Sequence, residues 1–295
     1  MLWIFLTLAA APLQVARNAL QRSLLGDAGP LGAVLVRFLF GLPFSLAILG
    51  IALLLTPDAK PEFTTRFWVA ISLGAASQLC ASAALLLAMR RSGFAVATAM
   101  QQSSLPIAAI LGSVFLGDAL SPLAWAGVIA AAAGVTILSW PGRDQAQGGA
   151  MGALLGLGSG VAFAVTLNAY RQSGLALEPV HPVFAGVAGV CVAQALQSIT
   201  LSAFLGLTRP AALRAVAASW RQSLGAGVFG AAASALWFAA LALAPAAAVR
   251  AVGVAEIPVA ALAGSRLFRE RLDLRRIMGA ALTAAGVVAT AFGSG

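Results

Sequence analysis

The sequence predicts an all-α, polytopic membrane protein of ten transmembrane helices built as two inverted five-helix repeats. Of its 295 residues, 61% are hydrophobic and only 9% are charged, whereas an ordinary soluble domain is about a quarter charged. The mean hydropathy is +0.95. Apolar stretches recur at lengths near the roughly 20 residues that a helix needs to cross a hydrocarbon core about 30 Å thick. Short period-two alternation is absent, which argues against a transmembrane barrel, so the backbone must satisfy its hydrogen bonds within helices.

The expected spans follow in order. The first, Leu2 to Leu25, has no basic leading region and carries Gln14, Arg17, Asn18 and Gln21 in its second half, so it reads as a retained helix rather than a signal peptide. Leu31 to Leu55 contains one charge, Arg37, and the polar stretch TPDAKPEFTTR separates it from Phe67 to Met89. Arg90 and Arg91 mark the connection to Phe94 to Leu116, whose glutamines, serines and proline (QQSSLP) interrupt an apolar run. Pro122 to Trp140 starts on a proline and ends at the polar sequence PGRDQAQGG. Gly149 to Arg171, Pro182 to Leu205, Gln222 to Ala244, Ala246 to Phe268 and Arg276 to Phe292 complete the set. Cys80 and Cys191 each fall inside a span, where a disulfide is not expected.

A net charge of +9 would suggest nucleic acid in a soluble protein, but here it is read connection by connection. All but one of the 18 basic residues are Arg. The connections after the odd-numbered spans hold most of them, including Arg90, Arg91, Arg143, Arg209, Arg214, Arg266 and Arg269. The opposite side has chiefly Lys60, Arg66, Arg171 and Arg250. The positive-inside rule then places both termini outside. Local pairing of Arg266 and Arg275 with Glu270 and Asp273 is the competing account of that charge excess.

An internal repeat organises the chain into halves, residues 1–145 and 146–295. Setting Pro106 on Pro258 aligns PIAAILGSVFLGDALSPLAWAGVIAAAAGVT with PVAALAGSRLFRERLDLRRIMGAALTAAGVV without a gap. It pairs Gly112 with Gly264, Ser113 with Ser265, Gly127 with Gly279 and Gly134 with Gly286. RNALQRS lies over LNAYRQS at nearly the same offset, matching Asn18 with Asn168. A unit of five spans is odd, so the second copy must enter the membrane from the opposite side, the usual scaffold for alternating access.

These motifs also carry a family resemblance. LVRFLFG with Arg37 and Phe38, ALLLAMRRSGFAVA, a proline followed by AAILGSVFLGD, and GVIAAAAGVTIL resemble the drug/metabolite transporter superfamily, and more narrowly its ten-helix EamA-type exporters. The resemblance covers essentially the whole chain. It implies an inner-membrane exporter of small metabolites, with neutral or aromatic amino acids foremost, and a cytoplasmic N-terminus, against the charge count. The second half departs from the family pattern in placing Ile257 between Glu256 and Pro258.

Polar side chains deep in such spans are expensive against lipid and should face the bundle interior. The candidate substrate-binding residues are Asn18, Arg37, Gln78, Gln101, Gln102, Ser103, Asn168, Trp237 and Glu256, with Pro106 and Pro258 as kinks. Proline removes an N–H donor, so Pro106 is expected to free the carbonyl of Gln102. The glutamines and Arg37 supply donors for a carboxylate, Glu256 and the Gln102 carbonyl supply acceptors, and Trp237 an aromatic wall. Each is weighed against interhelical glue, which contributes about 0.6 kcal/mol on average. Arg37 and Glu256 are the sharpest, since an unpaired charge at depth costs at least about 2.5 kcal/mol on insertion scales.

A Walker-type nucleotide site is excluded, because it needs a lysine after its last glycine and the only lysine is Lys60, in PDAKPE. The single histidine, His181, stands at a loop edge, and no metal or nucleophile-base cluster forms around it. No cofactor and no catalysis are expected. The expected partners are a small-molecule substrate and the lipid bilayer, with no nucleic acid, in a monomeric state. Transport is then facilitated or proton-coupled, with Glu256 the coupling carboxylate. Drug and nucleotide-sugar carriers of the same superfamily are the competing substrate classes, and a channel or a membrane enzyme the competing functions.

Overall fold

The computed structural model describes residues 1–23, 25–139, 150–254 and 274–293, and among them every regular element is helical. The chain is all-α and polytopic. Leu31–Leu55, Thr65–Arg91, Ala150–Leu177, Pro182–Thr208 and Trp220–Leu243 are long and apolar enough to cross a membrane, and Leu2–Gln14, Ser104–Leu116, Pro122–Ile137 and Ile277–Gly293 are shorter apolar helices. Each coincides with an expected span. The ninth span is described only in its first turns, and Glu256 and Pro258 lie outside the described residues.

The helices are α1 (Leu2–Ser23), α2 (Leu25–Leu39), α3 (Leu42–Leu55), α4 (Thr65–Gln101), α5 (Ser104–Leu111), α6 (Pro122–Ser139), α7 (Ala150–Leu177), α8 (Pro182–Thr208), α9 (Pro210–Ala218), α10 (Trp220–Leu243), α11 (Ala246–Gly253) and α12 (Leu274–Gly293), with a π-helical turn at Gly112–Leu116. Their starts have local causes. Thr64 and Ser121 cap α4 and α6, their hydroxyls accepting the N–H of Phe67 at 3.2 Å and of Ala124 at 3.1 Å. Proline opens α6, α8 and α9, at the position where a missing N–H costs nothing.

Three features differ from the expected spans. The second is broken at Phe40–Gly41 into α2 and α3, because Pro43 in the first turn of α3 offers no N–H to the preceding turn. The third and fourth are not separated at Arg90–Arg91, since α4 runs through both arginines. Arginine is a good helix former, and a single Gly93 costs only about 1 kcal/mol. The helix breaks instead at Gln102–Ser103, and Pro106 stands in the first turn of α5. The Gln102 carbonyl is not freed there, because it accepts the N–H of Leu105 at 3.0 Å. The break is therefore closed by a tighter turn.

The polarity pattern is that of a protein in an apolar solvent. Leu54, Leu207 and Phe115 are 83%, 88% and 75% exposed, while Gln197, Thr166 and Ser173 are at most 1% exposed. The chain forms two compact units. One comprises Met1, Cys80–Asn168 and Ala244–Gly295, the other Leu2–Leu79 and Ala169–Leu243. Each draws on both sequence halves, and the chain passes between them within α4, within α7 and between α10 and α11.

In the first unit α6 packs on α12 with almost no side chain between the backbones. A Cβ on Gly127 would stand 2.7 Å from the Gly286 carbonyl oxygen, and one on Gly134 would stand 2.8 Å from that of Gly279. As the numbering rises along α6 it falls along α12, so the pair is antiparallel. Exchanging the aligned glycines 127 with 279 and 134 with 286 turns one contact into the other. In the second unit α10 packs against α1 and α8, and α2 and α3 pack on α8. Leu35, Val36, Leu201, Leu205 and Val216 belong to a buried hydrophobic core there.

Candidate functional site

The second unit holds a polar centre inside its apolar helices. The Tyr170 hydroxyl of α7 donates to Gln78 Oε1 of α4 at 2.9 Å. Gln197 Nε2 of α8 donates to the same oxygen at 2.6 Å and to the Tyr170 hydroxyl at 3.1 Å. Three helices are tied by side chains that water would otherwise solvate, which is why the network is costly to leave partly satisfied. The Tyr170 ring lies against Phe238 of α10, centroids 4.2 Å apart. On its α4 side Gly74 leaves the space, since a Cβ there would stand 2.5 Å from the ring.

Arg37 of α2 is within electrostatic reach of Tyr170, and its guanidinium sits 4.5 Å over the Phe38 ring. Arg17 of α1 is buried, at 7% exposure. Trp237 is half-buried beside Phe238 on α10. Near the break in the second span, Ser45 Oγ donates to Gln194 Oε1 at 2.8 Å.

The first unit holds a separate polar set. Gln101 Nε2 donates to Ser159 Oγ at 3.2 Å, and that hydroxyl donates to the Ala81 carbonyl at 2.8 Å. Asn168 Nδ2 donates to the carbonyls of Ala108 and Ala164 at 3.1 and 3.0 Å, which fixes the amide orientation. Asn168 Oδ1 and Gln102 Oε1 are buried acceptors with no hydrogen-bond partner among the described residues. The Ser103 hydroxyl packs against Gly160 of α7. Arg250 of α11 lies 5.5 Å over the Phe163 ring.

The sequence candidates thus fall into two groups, Arg37, Gln78 and Trp237 in one unit and Gln101, Gln102, Ser103 and Asn168 in the other. Glu256 and Pro258, and the side chain of Asn18, lie outside what is described. Gln194 and Gln197 were not among the candidates. The criterion that selected Gln78, a polar side chain far from either end of a span, also selects these two in Pro182 to Leu205. Glu178 had no such signal, because it works in a connection and on backbone groups. It accepts the N–H of Lys60 at 2.6 Å and of Val180 at 3.1 Å.

Residues 1–140 match the model of the EamA-like transporter family. A solved crystal structure is similar over the whole fold, with a TM-score of 0.71 at 16% sequence identity, covering 98% of this chain and 97% of that one. No curated protein sequence matches the chain. The apolar helices are those of an integral membrane protein.

Proposed function

We propose that the protein is a secondary transporter that exports small metabolites across a bacterial inner membrane by alternating access, with neutral or aromatic amino acids as its substrates. The observation that carries this reading is the match of residues 1–140 to the EamA-like transporter model. Two features support it. Polar side chains are concentrated inside helices whose outer faces are apolar, the arrangement expected where a polar solute passes. The antiparallel α6–α12 pair, with its exchangeable glycine contacts, supports the inverted repeat.

Gln78, Tyr170 and Gln197, which hydrogen bonds hold together in one unit, are the groups proposed to face the substrate. Glu256 remains the proposed proton-coupling carboxylate. The reading is tested by counterflow of labelled phenylalanine in liposomes holding the purified full-length protein, without nucleotide. Saturable exchange is expected. Absence of saturable flux for every amino acid in a panel defeats the amino-acid assignment, and transport unaffected by acidifying one side removes the coupling role of Glu256.

A further inference from the structure

Beside the close-packed α6–α12 pair of the first unit lies an open groove. Ala133, Thr136 and Ile137 of α6 and Arg275 of α12 line a space of about 440 Å³, with Arg275 the single charged side chain among these walls. Thr136 Oγ1 donates to the Ala132 carbonyl at 2.7 Å, so the hydroxyl proton is already engaged within α6. The groove opens on the outer surface. Ala133 is exposed, and the same helical faces carry Ile129, four residues before it, and Met278, three residues after Arg275, which are 58% and 60% exposed.

The depth of the groove follows from the two helices. Their apolar stretches are Pro122–Ile137 and Ile277–Gly293. Ile137 ends the first, Arg275 stands two residues before the second, and the antiparallel packing brings these two ends together. Arg275 therefore stands where hydrocarbon gives way to headgroups, and Ala133 lies about one turn deeper than Ile137. An arginine at such a level lays its stem on apolar surface and keeps its guanidinium at the polar edge.

The charge at this end is positive whatever local pairs form. Residues 266–276 hold five arginines, Arg266, Arg269, Arg271, Arg275 and Arg276, against two carboxylates, Glu270 and Asp273. Pairing within the segment leaves it cationic. The connection between α6 and α7 changes nothing, since its Arg143 is balanced by Asp144.

We propose that this groove holds an anionic glycerophospholipid, one acyl chain lying on Ala133 and Ile137 and the phosphate meeting Arg275. The guanidinium offers paired donors that match phosphate oxygens, and basic pockets between membrane helices are the kind of site that takes anionic headgroups. A water-soluble phosphate would leave the apolar walls uncovered. A zwitterionic lipid would bring its own cation to a cationic segment. The site is distinct from the substrate groups, and its occupant is bound rather than carried.

Native mass spectrometry of the delipidated full-length protein in detergent tests this, with phosphatidylglycerol and phosphatidylcholine of identical acyl chains as probes. Phosphatidylglycerol is expected to bind more tightly by roughly fivefold, the scale of one arginine acting on an anionic headgroup. Arg275→Gln should remove that preference and leave phosphatidylcholine binding unchanged, an outcome that a merely structural arginine would not produce. Ala133→Phe, at an exposed position, fills the groove and should weaken both lipids. Arg209→Gln, an exposed arginine of the other unit, should keep the preference, and glycerol phosphate, the headgroup chemistry without chains, should not displace the lipid at equal concentration.

The proposal is overturned if the two lipids bind alike, if a folded Arg275→Gln protein keeps the preference, if Arg209→Gln loses it equally, if Ala133→Phe binds as wild type does, or if glycerol phosphate competes. Thermal unfolding identifies the folded variants, and the lipid comparison with Ala133→Phe carries the test if Arg275→Gln does not fold. Lipid binding is read without flux, so the failure of this site leaves the transporter reading standing, and the reverse holds as well.

Discussion

At Glu178 one carboxylate joins two connections. It accepts backbone N–H groups from Lys60 in the α3–α4 connection and from Val180 ahead of α8. Glu62 N–H reinforces the junction by donating to the Leu177 carbonyl at 2.8 Å. The carboxylate is only 5% exposed, and His181 Nδ1 lies 3.7 Å away. The hydrogen bond from Lys60 above all holds its pKa below the ordinary carboxylate value, with that from Val180 and the nearby His181 adding to it. A depressed folded-state pKa means that the stabilisation is present above the unfolded pKa, near 4.5, and is lost as pH falls through the folded value. Thermal unfolding of the detergent-solubilised protein from pH 7 to pH 3 should therefore show wild type above Glu178→Gln at neutral pH, the two curves converging in acid. Curves that stay parallel over the whole range would remove the carboxylate from this role. Gln78 was legible in the sequence because it interrupts an apolar run, whereas Glu178 was not, since a carboxylate in a polar connection looks like any solvated loop residue.

The α6–α12 pair shows what an element owes to residues that lack side chains. Thr283 and Thr290 turn their hydroxyls back to the carbonyls of Gly279 and Gly286, each at 2.8 Å, so they satisfy themselves within α12 and leave a smooth surface for α6. Ser121 closes one end by donating to the Gly293 carbonyl at 2.7 Å. Gly134→Ala would place a methyl 2.5 Å from Thr283 Oγ1 and 2.8 Å from the Gly279 carbonyl oxygen, and backbone cannot rotate away. Its expected cost is about 1–3 kcal/mol, the scale of overpacking. Gly158→Ala, in α7 with nothing within 4 Å of the added carbon, should be neutral or stabilising by up to about 1 kcal/mol. Equal midpoints for the two variants in detergent unfolding would refute the close-packing account. The sequence repeat exposed these glycines because small residues at matched positions stand out. It could not expose the breaks as readily: Pro43 sits in an unbroken apolar run and reads as part of one span, and Arg90–Arg91 reads as a connection only because hydropathy registers charge and not helicity.

At the scale of the whole molecule, composition alone was enough for the fold class, because a chain this apolar has few ways to satisfy its backbone. The partition into compact units was beyond it. Each unit joins segments far apart in sequence, as Gln78 and Gln197 show with a separation of 119 residues, and nothing local marks such a pairing. The consequence is testable with the chain cut between residues 145 and 146. In the first half, α1 and α2 would lack α10 and α8, and α6 would lack α12. The glycine face of α6, the buried Arg17 and the half-buried Arg37 would then meet lipid instead of the helices packed against them, a cost of at least about 2.5 kcal/mol for each charge at depth. Either half expressed alone should be degraded or aggregated in detergent, whereas the two expressed together should co-purify as one species with the thermal midpoint close to that of the intact chain. A first half that is monodisperse and resists protease by itself would show that the repeats fold independently, and that the two compact units form only after each repeat is complete.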